Sequence, residues 1–373
     1  MEKETFLTLE GKRFHFIWLR DNCICPECRH PSSFQKLSDI SRSAPGNAGG
    51  DRPWLPEPLS VDLDEEELSI TWNENPPHRS TFSISWLLRH AYDREPSTPV
   101  KQEILWDKTW IEAYPPQKHE VCAGEPESWF GDVFSLGFAL LQNITDETFE
   151  SLLSSIGPIH YTEYGRFAPV KVTVGANDLA DTGHALHPHT DYSTYMQVPP
   201  LLQFLYCVEN EAKGGETFVK DAFRIAKDFR QDHPEYFQIL VETPIQFQQF
   251  YSEWRYFFRR TRPILELDEW GEISGVYFGH SKCWNWNLPF EQMQQFYEAY
   301  TTFYTYVKDP AYEYSIRLQP GDCLIMHNSR VFHGRKAFDQ MSGNRYLKTA
   351  YVAWDYLLAR SNFLQFKHLY LGK

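Results

Sequence analysis

No stretch of this 373-residue chain holds about 18 consecutive apolar residues, so nothing in it reads as a membrane span. Positive charge is in short supply. Lys and Arg number 36 against 50 Asp and Glu, a formal net charge of −14. A chain this acidic repels nucleic acid and anionic lipid, so neither is expected as a partner. The opening MEKETFLTLEG lacks the basic start and apolar centre of a signal peptide and is too acidic for a transit peptide, so a cytoplasmic protein is expected. Internal repeats and low-complexity runs are absent as well. Cysteines number only seven, and Cys23, Cys25 and Cys28 fall within six residues. In a reducing compartment such a bunch reads as metal binding rather than as a disulfide framework.

The length suits one large catalytic domain with an accessory piece. Aromatic residues make up 16% of the chain, with 27 Phe, 21 Tyr and 12 Trp, which fits a β-rich core or a ring-lined pocket. Residues 1–92 read as an N-terminal, β-rich, metal-binding domain. In LSVDLDEEELSITW, Leu59, Val61 and Leu63 alternate, then Leu68, Ile70 and Trp72, with acidic residues between, which predicts a hairpin. The stretch SRSAPGNAGGDRPWLPEP before it reads as a mobile loop, and SISWLLRHAYD as a short closing helix. Residues 93–130, rich in proline, read as a connector, and 131–373 as the catalytic domain.

In that domain VFSLGFALLQNI is expected as a buried strand. TDETFESLLSSIGPI places Phe149, Leu152, Leu153 and Ile156 on one helical face, with Thr145 or Asp146 as its cap. HPEYFQILVET carries Pro234 at a first helical position. LPFEQMQQFYEAYTTFYTYV carries a stripe of Phe290, Met293, Phe296, Tyr297, Tyr300 and Tyr304 that reads as core packing. AYEYSIRLQPGDCLIMHN reads as strand, turn and strand, and YLKTAYVAWDYLL as a strand entering a short tail. Strands dominate, with helices packed outside: α+β, mainly β.

The densest signal is LHPHTDYST, where His187, His189 and Asp191 alternate. On a strand such residues project to one side. A mononuclear iron site that activates O2 takes two imidazoles and one carboxylate on one face, leaving the other positions open. His189 and Asp191 supply two ligands, and by alternation His187 can stand in for His189. His333, in HNSRVFHGRKAF, is the candidate third, followed by Gly334, where a glycine lets another group approach the backbone closely. Twelve positions on, Arg345 offers a guanidinium able to grip a carboxylate with two parallel hydrogen bonds. Either half of this pattern alone is common. The whole order, His-x-Asp, a long gap, His-Gly and then Arg, is demanding.

These motifs, with WLRDNCICPEC, GGETFVKDAF, QPGD and the R…AYVAWD ending, span nearly the whole chain. Over that length the sequence resembles the Fe(II)/2-oxoglutarate-dependent dioxygenases, and within them the γ-butyrobetaine and trimethyllysine hydroxylases of the taurine dioxygenase-like superfamily. The resemblance implies a double-stranded β-helix, or jelly roll, with His189, Asp191 and His333 on iron. It also implies Arg345 on the distal carboxylate of 2-oxoglutarate, with Thr217 as a second contact. The implied reaction hydroxylates an unactivated C–H bond of a small-molecule substrate while O2 oxidatively decarboxylates 2-oxoglutarate to succinate and CO2. Ascorbate is expected to stimulate it. A homodimer is expected from the same resemblance.

The cysteine cluster suits tetrahedral zinc and needs a fourth ligand. His78, which follows the hairpin, can return to the cluster, and His30 competes with it; the resemblance selects His78, giving a closed structural Cys3His site. For the substrate, the family pattern places Tyr164 and Tyr351 at positions of an aromatic cage for a quaternary ammonium. It places Ala168 where the family carries a cage Trp, and Asp181 where it carries a cage Tyr. His280 or Lys282 stands where a substrate-binding Asn is expected. QFYSEWRYFFRRTRPI reads either as a lid that rebuilds a pocket, including a site for an anionic group, or as an amphipathic surface segment. Three readings follow: hydroxylation of a trimethylammonium-type metabolite; the same chemistry, or desaturation, on a natural-product intermediate or amino acid; and a non-catalytic metal-binding protein.

Overall fold

The computed structural model describes residues 5–40, 55–93, 103–121, 128–171, 179–196, 200–283 and 286–371. The chain divides into two compact units, Met1–Pro99 and Val100–Lys373. The segment expected as a mobile loop lies outside the described residues over positions 41–54, as does Cys122. Among the described residues no helix is long and apolar enough to cross a membrane.

In the first unit, strands Phe6–Leu9 and Lys12–His15 form a hairpin and lead into the helix Phe16–Asp21. The expected second hairpin is present as Pro58–Leu63 against Glu67–Trp72, with Val61 opposite Ile70, and His78–Ser83 adds a third strand. Its two alternating runs do not share a fate. Leu68, Ile70 and Trp72 are buried, whereas Leu59, Val61 and Leu63 on the edge strand stay exposed. The short helix Ile84–Arg89 follows, its N-terminus capped by the Ser83 hydroxyl on the Trp86 N–H.

The second unit is built on two sheets. The larger runs in the order Lys118–Glu120, Phe138–Gln142, Cys323–His327, Leu201–Asn210, Arg345–Ala353, Ala168–Lys171. The smaller runs Tyr314–Ile316, Thr217–Asp221, Val331–Arg335, Leu186–His189. From residue 314 on, successive strands of the two sheets alternate: 314–316 and 331–335 belong to the smaller, 323–327 and 345–353 to the larger. That alternation is the mark of a jelly roll. One core cluster takes Leu205, Cys207 and Leu324 from the larger sheet and Val219 and Ile316 from the smaller. Helices Ala222–Asp232, Pro234–Glu242 and Phe290–Lys308 share a second cluster with Phe332 of the smaller sheet.

Four expectations change in detail. Part of the stretch read as a connector belongs to the second unit. There Trp106 is buried with its indole N–H on the Leu136 carbonyl (2.8 Å), helix Lys108–Ala113 follows, and 118–120 pairs in parallel with 138–142. The run VFSLGFALLQNI is not one strand. Helix Phe130–Leu136 ends at Gly137, whose φ of 84° only glycine adopts cheaply, and strand Phe138–Gln142 begins after it. A short apolar run carries no periodicity that separates the two. On helix 290–308 the buried stripe is Phe296, Ala299, Tyr300, Phe303 and Val307, while Phe290 and Tyr297 lie exposed. The chain's last strand leads into the helix Trp354–Leu371 rather than a short tail. Thr145 settles the cap of helix Asp146–Ile156, exchanging reciprocal bonds with Thr148.

One buried ion pair ties the sheets' turns together. Arg330 and Asp221, at 1% and 0% exposure, meet at 3.3 Å. Asp221 also caps helix 222–232 through the Phe223 and Arg224 N–H groups, and Arg330 donates to the Ile104 and Phe134 carbonyls. Every hydrogen-bonding side of the pair is occupied, which offsets its desolvation. Arg330 immediately precedes the strand that carries His333.

Candidate active site

The smaller sheet brings the expected ligands together. His189 ends strand 186–189 and stands opposite His333 of strand 331–335, their ring centroids 4.3 Å apart. Gly334 permits the approach, since a Cβ there would lie 2.6 Å from the Leu186 carbonyl oxygen. Asp191 follows two residues after His189. Its Oδ1 lies 3.5 Å from His189 Nε2 and its Oδ2 3.6 Å from His333 Nε2. One ligand atom from each of the three falls within 4.8 Å of the others. His187 is exposed, and it contributes its backbone carbonyl, which accepts the His189 Nδ1–H at 2.8 Å. That bond fixes the tautomer and leaves the Nε2 lone pair facing Asp191.

Asp191 is held at its backbone and at Oδ2. Its N–H donates to Asn328 Oδ1 (2.9 Å), and its carbonyl accepts from Asn328 Nδ2 (3.0 Å). Its Oδ2 accepts from Gln203 Nε2 (2.8 Å) and from the Tyr351 hydroxyl (2.7 Å). Lys282 Nζ stands 4.0 Å from Oδ1. Burial alone would raise the carboxyl's pKa, yet His333, His189 and Lys282 hold it well below the usual carboxylate range. Burial, with His189 beside it, pushes His333 down to about 3. A neutral imidazole and an ionised carboxylate are the forms that ligate a metal.

Arg345 opens strand 345–353 and is 7% exposed. Its Nε has no hydrogen-bond partner, its Nη2 reaches only the Gly215 carbonyl at 3.4 Å, and its guanidinium lies over the Phe338 ring. Burial, then the nearby Arg335, push its pKa down to about 10. Arg335 gives its two terminal nitrogens to the Ala180, Thr182 and His184 carbonyls, although its Nε too lacks a partner. Arg345 has no carboxylate partner among the described residues, and a buried guanidinium in that state calls for an anion.

His189, Asp191, His333, Gln203, Lys282 and Arg345 line one cavity of about 690 Å3 in the second unit. The cavity also takes in Thr217, Tyr164, Asp181, Tyr351 and His280, so every residue proposed for cosubstrate or substrate borders it. Tyr351 spends its hydroxyl on Asp191, and His280 pairs Nδ1 with the Tyr300 hydroxyl (2.7 Å) while stacking on Tyr304. The stretch read as a lid or surface segment is a β-hairpin, Ile245–Tyr251 with Tyr256–Arg262. From it Gln248, Gln249, Phe250, Tyr251 and Phe257 line the cavity. None of its arginines, Arg255, Arg259, Arg260 or Arg262, lines the cavity: Arg259 donates to Gln246, Arg260 to the Tyr195 carbonyl, and Arg262 to Glu266.

Sequence reasoning missed Gln203 and Asn328. Gln203 had left a trace, as the one amide within the apolar run LLQFLYCV of a buried strand.

In the first unit Cys23, Cys25, Cys28 and His78 converge, with His78 Nε2 at 3.4, 3.7 and 3.4 Å from the three sulfurs. Arg20 Nη1 donates to Cys28 Sγ at 3.2 Å. His30 turns its Nδ1 to the Ser32 and Ser33 N–H groups instead.

Comparison with known proteins adds two family matches. A family model described as "Taurine catabolism dioxygenase TauD, TfdA family" matches residues 108–351, and one described as "Gamma-butyrobetaine hydroxylase-like, N-terminal" matches residues 5–89. The chain is 31% identical to the trimethyllysine dioxygenase of Meyerozyma guilliermondii, over 94% of this chain and 90% of that one. It is 28% identical to the gamma-butyrobetaine dioxygenase of Pseudomonas sp. (strain AK-1), again over 94% and 90%. The human gamma-butyrobetaine dioxygenase is 25% identical over 95% and 92%.

Proposed function

Because the chain belongs to the taurine catabolism dioxygenase TauD, TfdA family, as an oxidoreductase of the hydroxylase kind, we propose that it hydroxylates an unactivated C–H bond of a small trimethylammonium-type cation or zwitterion, using Fe(II), O2 and 2-oxoglutarate. The observation that carries this reading is the meeting, in one cavity, of an open two-His, one-Asp face and a buried arginine without an anion. The donor set fits ferrous iron. His189, Asp191 and His333 would hold the metal, and Arg345 with Thr217 the far carboxylate of 2-oxoglutarate. When bound, the iron would activate O2, which is the oxidant, while 2-oxoglutarate would supply two electrons as it is decarboxylated to succinate and CO2.

The residues position and exclude. The His187 carbonyl orients His189, while Gln203 and Tyr351 leave Asp191 Oδ1 free to face the metal position. Tyr164, Asp181, Tyr351 and His280 border the substrate's part of the cavity. Ala168 and Asp181, standing where the family pattern has rings, favour a second reading, the same chemistry on an amino acid or natural-product intermediate. A cytoplasmic homodimer belongs to the main proposal.

The test supplies the protein with Fe(II), ascorbate, O2 and 2-oxoglutarate and follows succinate release. γ-Butyrobetaine or trimethyllysine is expected to stimulate release and to yield a product heavier by one oxygen. Release that only non-methylated amino acids stimulate would move the proposal to its second reading.

For the first unit the proposal is a closed, structural zinc site of Cys23, Cys25, Cys28 and His78, set against a small core around Trp72 and Phe14. Native protein is expected to carry one zinc per chain by elemental analysis. Stripping it with a chelator should unfold this unit, seen as new protease cleavage before residue 99. Metal-free protein that resists cleavage as well as native would remove the structural role.

A further inference from the structure

The wall of the cavity carries one carboxylate with no assigned task. Glu163 and Tyr164 form the tip of a tight turn, closed by the Thr162 N–H on the Gly165 carbonyl (3.0 Å) and the reverse bond (2.9 Å). Gly165, at a φ of 88°, makes that turn possible. The Thr162 hydroxyl accepts the Tyr164 N–H (3.1 Å), so the tip is fixed rather than free. Both residues border the cavity.

Two phenols fix the Glu163 carboxylate. Tyr251, at the end of the hairpin strand 245–251, donates to Oε1 at 2.9 Å, and Tyr195, just past the His-x-Asp motif, donates to Oε2. Tyr195 is itself stacked on Phe258 at 4.1 Å, and its carbonyl is held by Arg260. Phenols are neutral, so they orient the carboxylate without cancelling its charge. No lysine or arginine pairs with it among the described residues. Rings surround it. Tyr164 stands edge-on to Trp254 at 4.8 Å and to Tyr251 at 6.4 Å, and Tyr251 lies 5.0 Å from Trp254. An uncancelled carboxylate beside aromatic faces is an environment for a cation with an apolar shell.

We propose that Glu163 is the residue that makes this enzyme select a cationic substrate, its carboxylate set by Tyr195 and Tyr251 as counter-charge to an ammonium lying against Tyr164 and Tyr251. The inference rests on the small-cation reading above and deepens it. The rings sense the methyl groups and Glu163 senses the charge. Glu163 touches neither the iron position nor Arg345, so its loss should leave the cosubstrate side intact.

The experiment compares two ligands of one shape. γ-Butyrobetaine carries N⁺ where 5,5-dimethylhexanoate carries a neutral carbon. Their Kd values are measured by calorimetry on anaerobic holoenzyme with Fe(II) and 2-oxoglutarate. The wild type is expected to prefer the cation by about 30-fold or more, and Glu163→Gln to cut that preference by about tenfold, through weaker cation binding. The 2-oxoglutarate Kd of Glu163→Gln should match the wild type, which also shows that the variant is folded. An unchanged preference in Glu163→Gln, or a wild type that binds both ligands equally, overturns the assignment to Glu163 while sparing the trimethylammonium shape. If the wild type binds neither, the substrate reading itself falls and the inference with it.

Discussion

Asp191→Ala is expected to abolish 2-oxoglutarate turnover, by about a thousandfold or more, while the protein stays folded. Asp191 alone brings negative charge to the three-ligand face, and both histidines approach it, at 3.5 and 3.6 Å. Two neutral imidazoles without it would hold a divalent metal far more weakly. The fold should survive because the variant frees Gln203 Nε2 and the Tyr351 hydroxyl into a cavity of about 690 Å3, where water can replace the lost acceptor. Its backbone remains clamped by Asn328. Metal content, succinate release and thermal unfolding, measured together, check this. Undiminished turnover would remove Asp191 from the metal site, and a collapsed melting transition would give it a structural task instead.

Arg345→Ala is expected to raise the 2-oxoglutarate concentration needed for half-maximal turnover by about 100-fold, the loss of a desolvated, charge-assisted pair. The native guanidinium is buried with its Nε unpartnered and another arginine nearby, an arrangement that disfavours its charge until an anion arrives. The variant therefore should not destabilise the protein in the absence of cosubstrate, and can stabilise it slightly. Melting without and with 2-oxoglutarate separates the two effects: the wild type should gain stability from the ligand and the variant should not. An unchanged cosubstrate requirement would place the distal carboxylate elsewhere. Arg345→Lys should recover only part of the affinity, because an ammonium cannot make the two parallel bonds of a guanidinium.

How far the sequence reached depended on the range of each interaction. The hairpin of 58–72 was legible, as were the Pro234 start of helix 234–242 and the capping role at 145 or 146, because turn chemistry and periodicity act within a few residues. The break at Gly137 was not legible, since the apolar residues on either side pack equally well as helix or strand. Nor was the exposure of Phe290 and Tyr297, because a ring at helical spacing does not say where the neighbouring elements end.

By itself the sequence determined the chemistry: which imidazoles, carboxylate, thiols and guanidinium stand available, and in what order. That order is legible because two ligands share one strand's alternation, and His333 and Arg345 follow at a demanding spacing. Only the tertiary structure decided how the groups are set. Gln203 reaches Asp191 from 12 residues away, Asn328 from 137, and Tyr251 reaches Glu163 from 88. Contacts of that separation arise from the register between strands and from the hairpin lying against the cavity. Neither is written in the local pattern, because each strand's alternation says which side faces inward but not which partner it meets there.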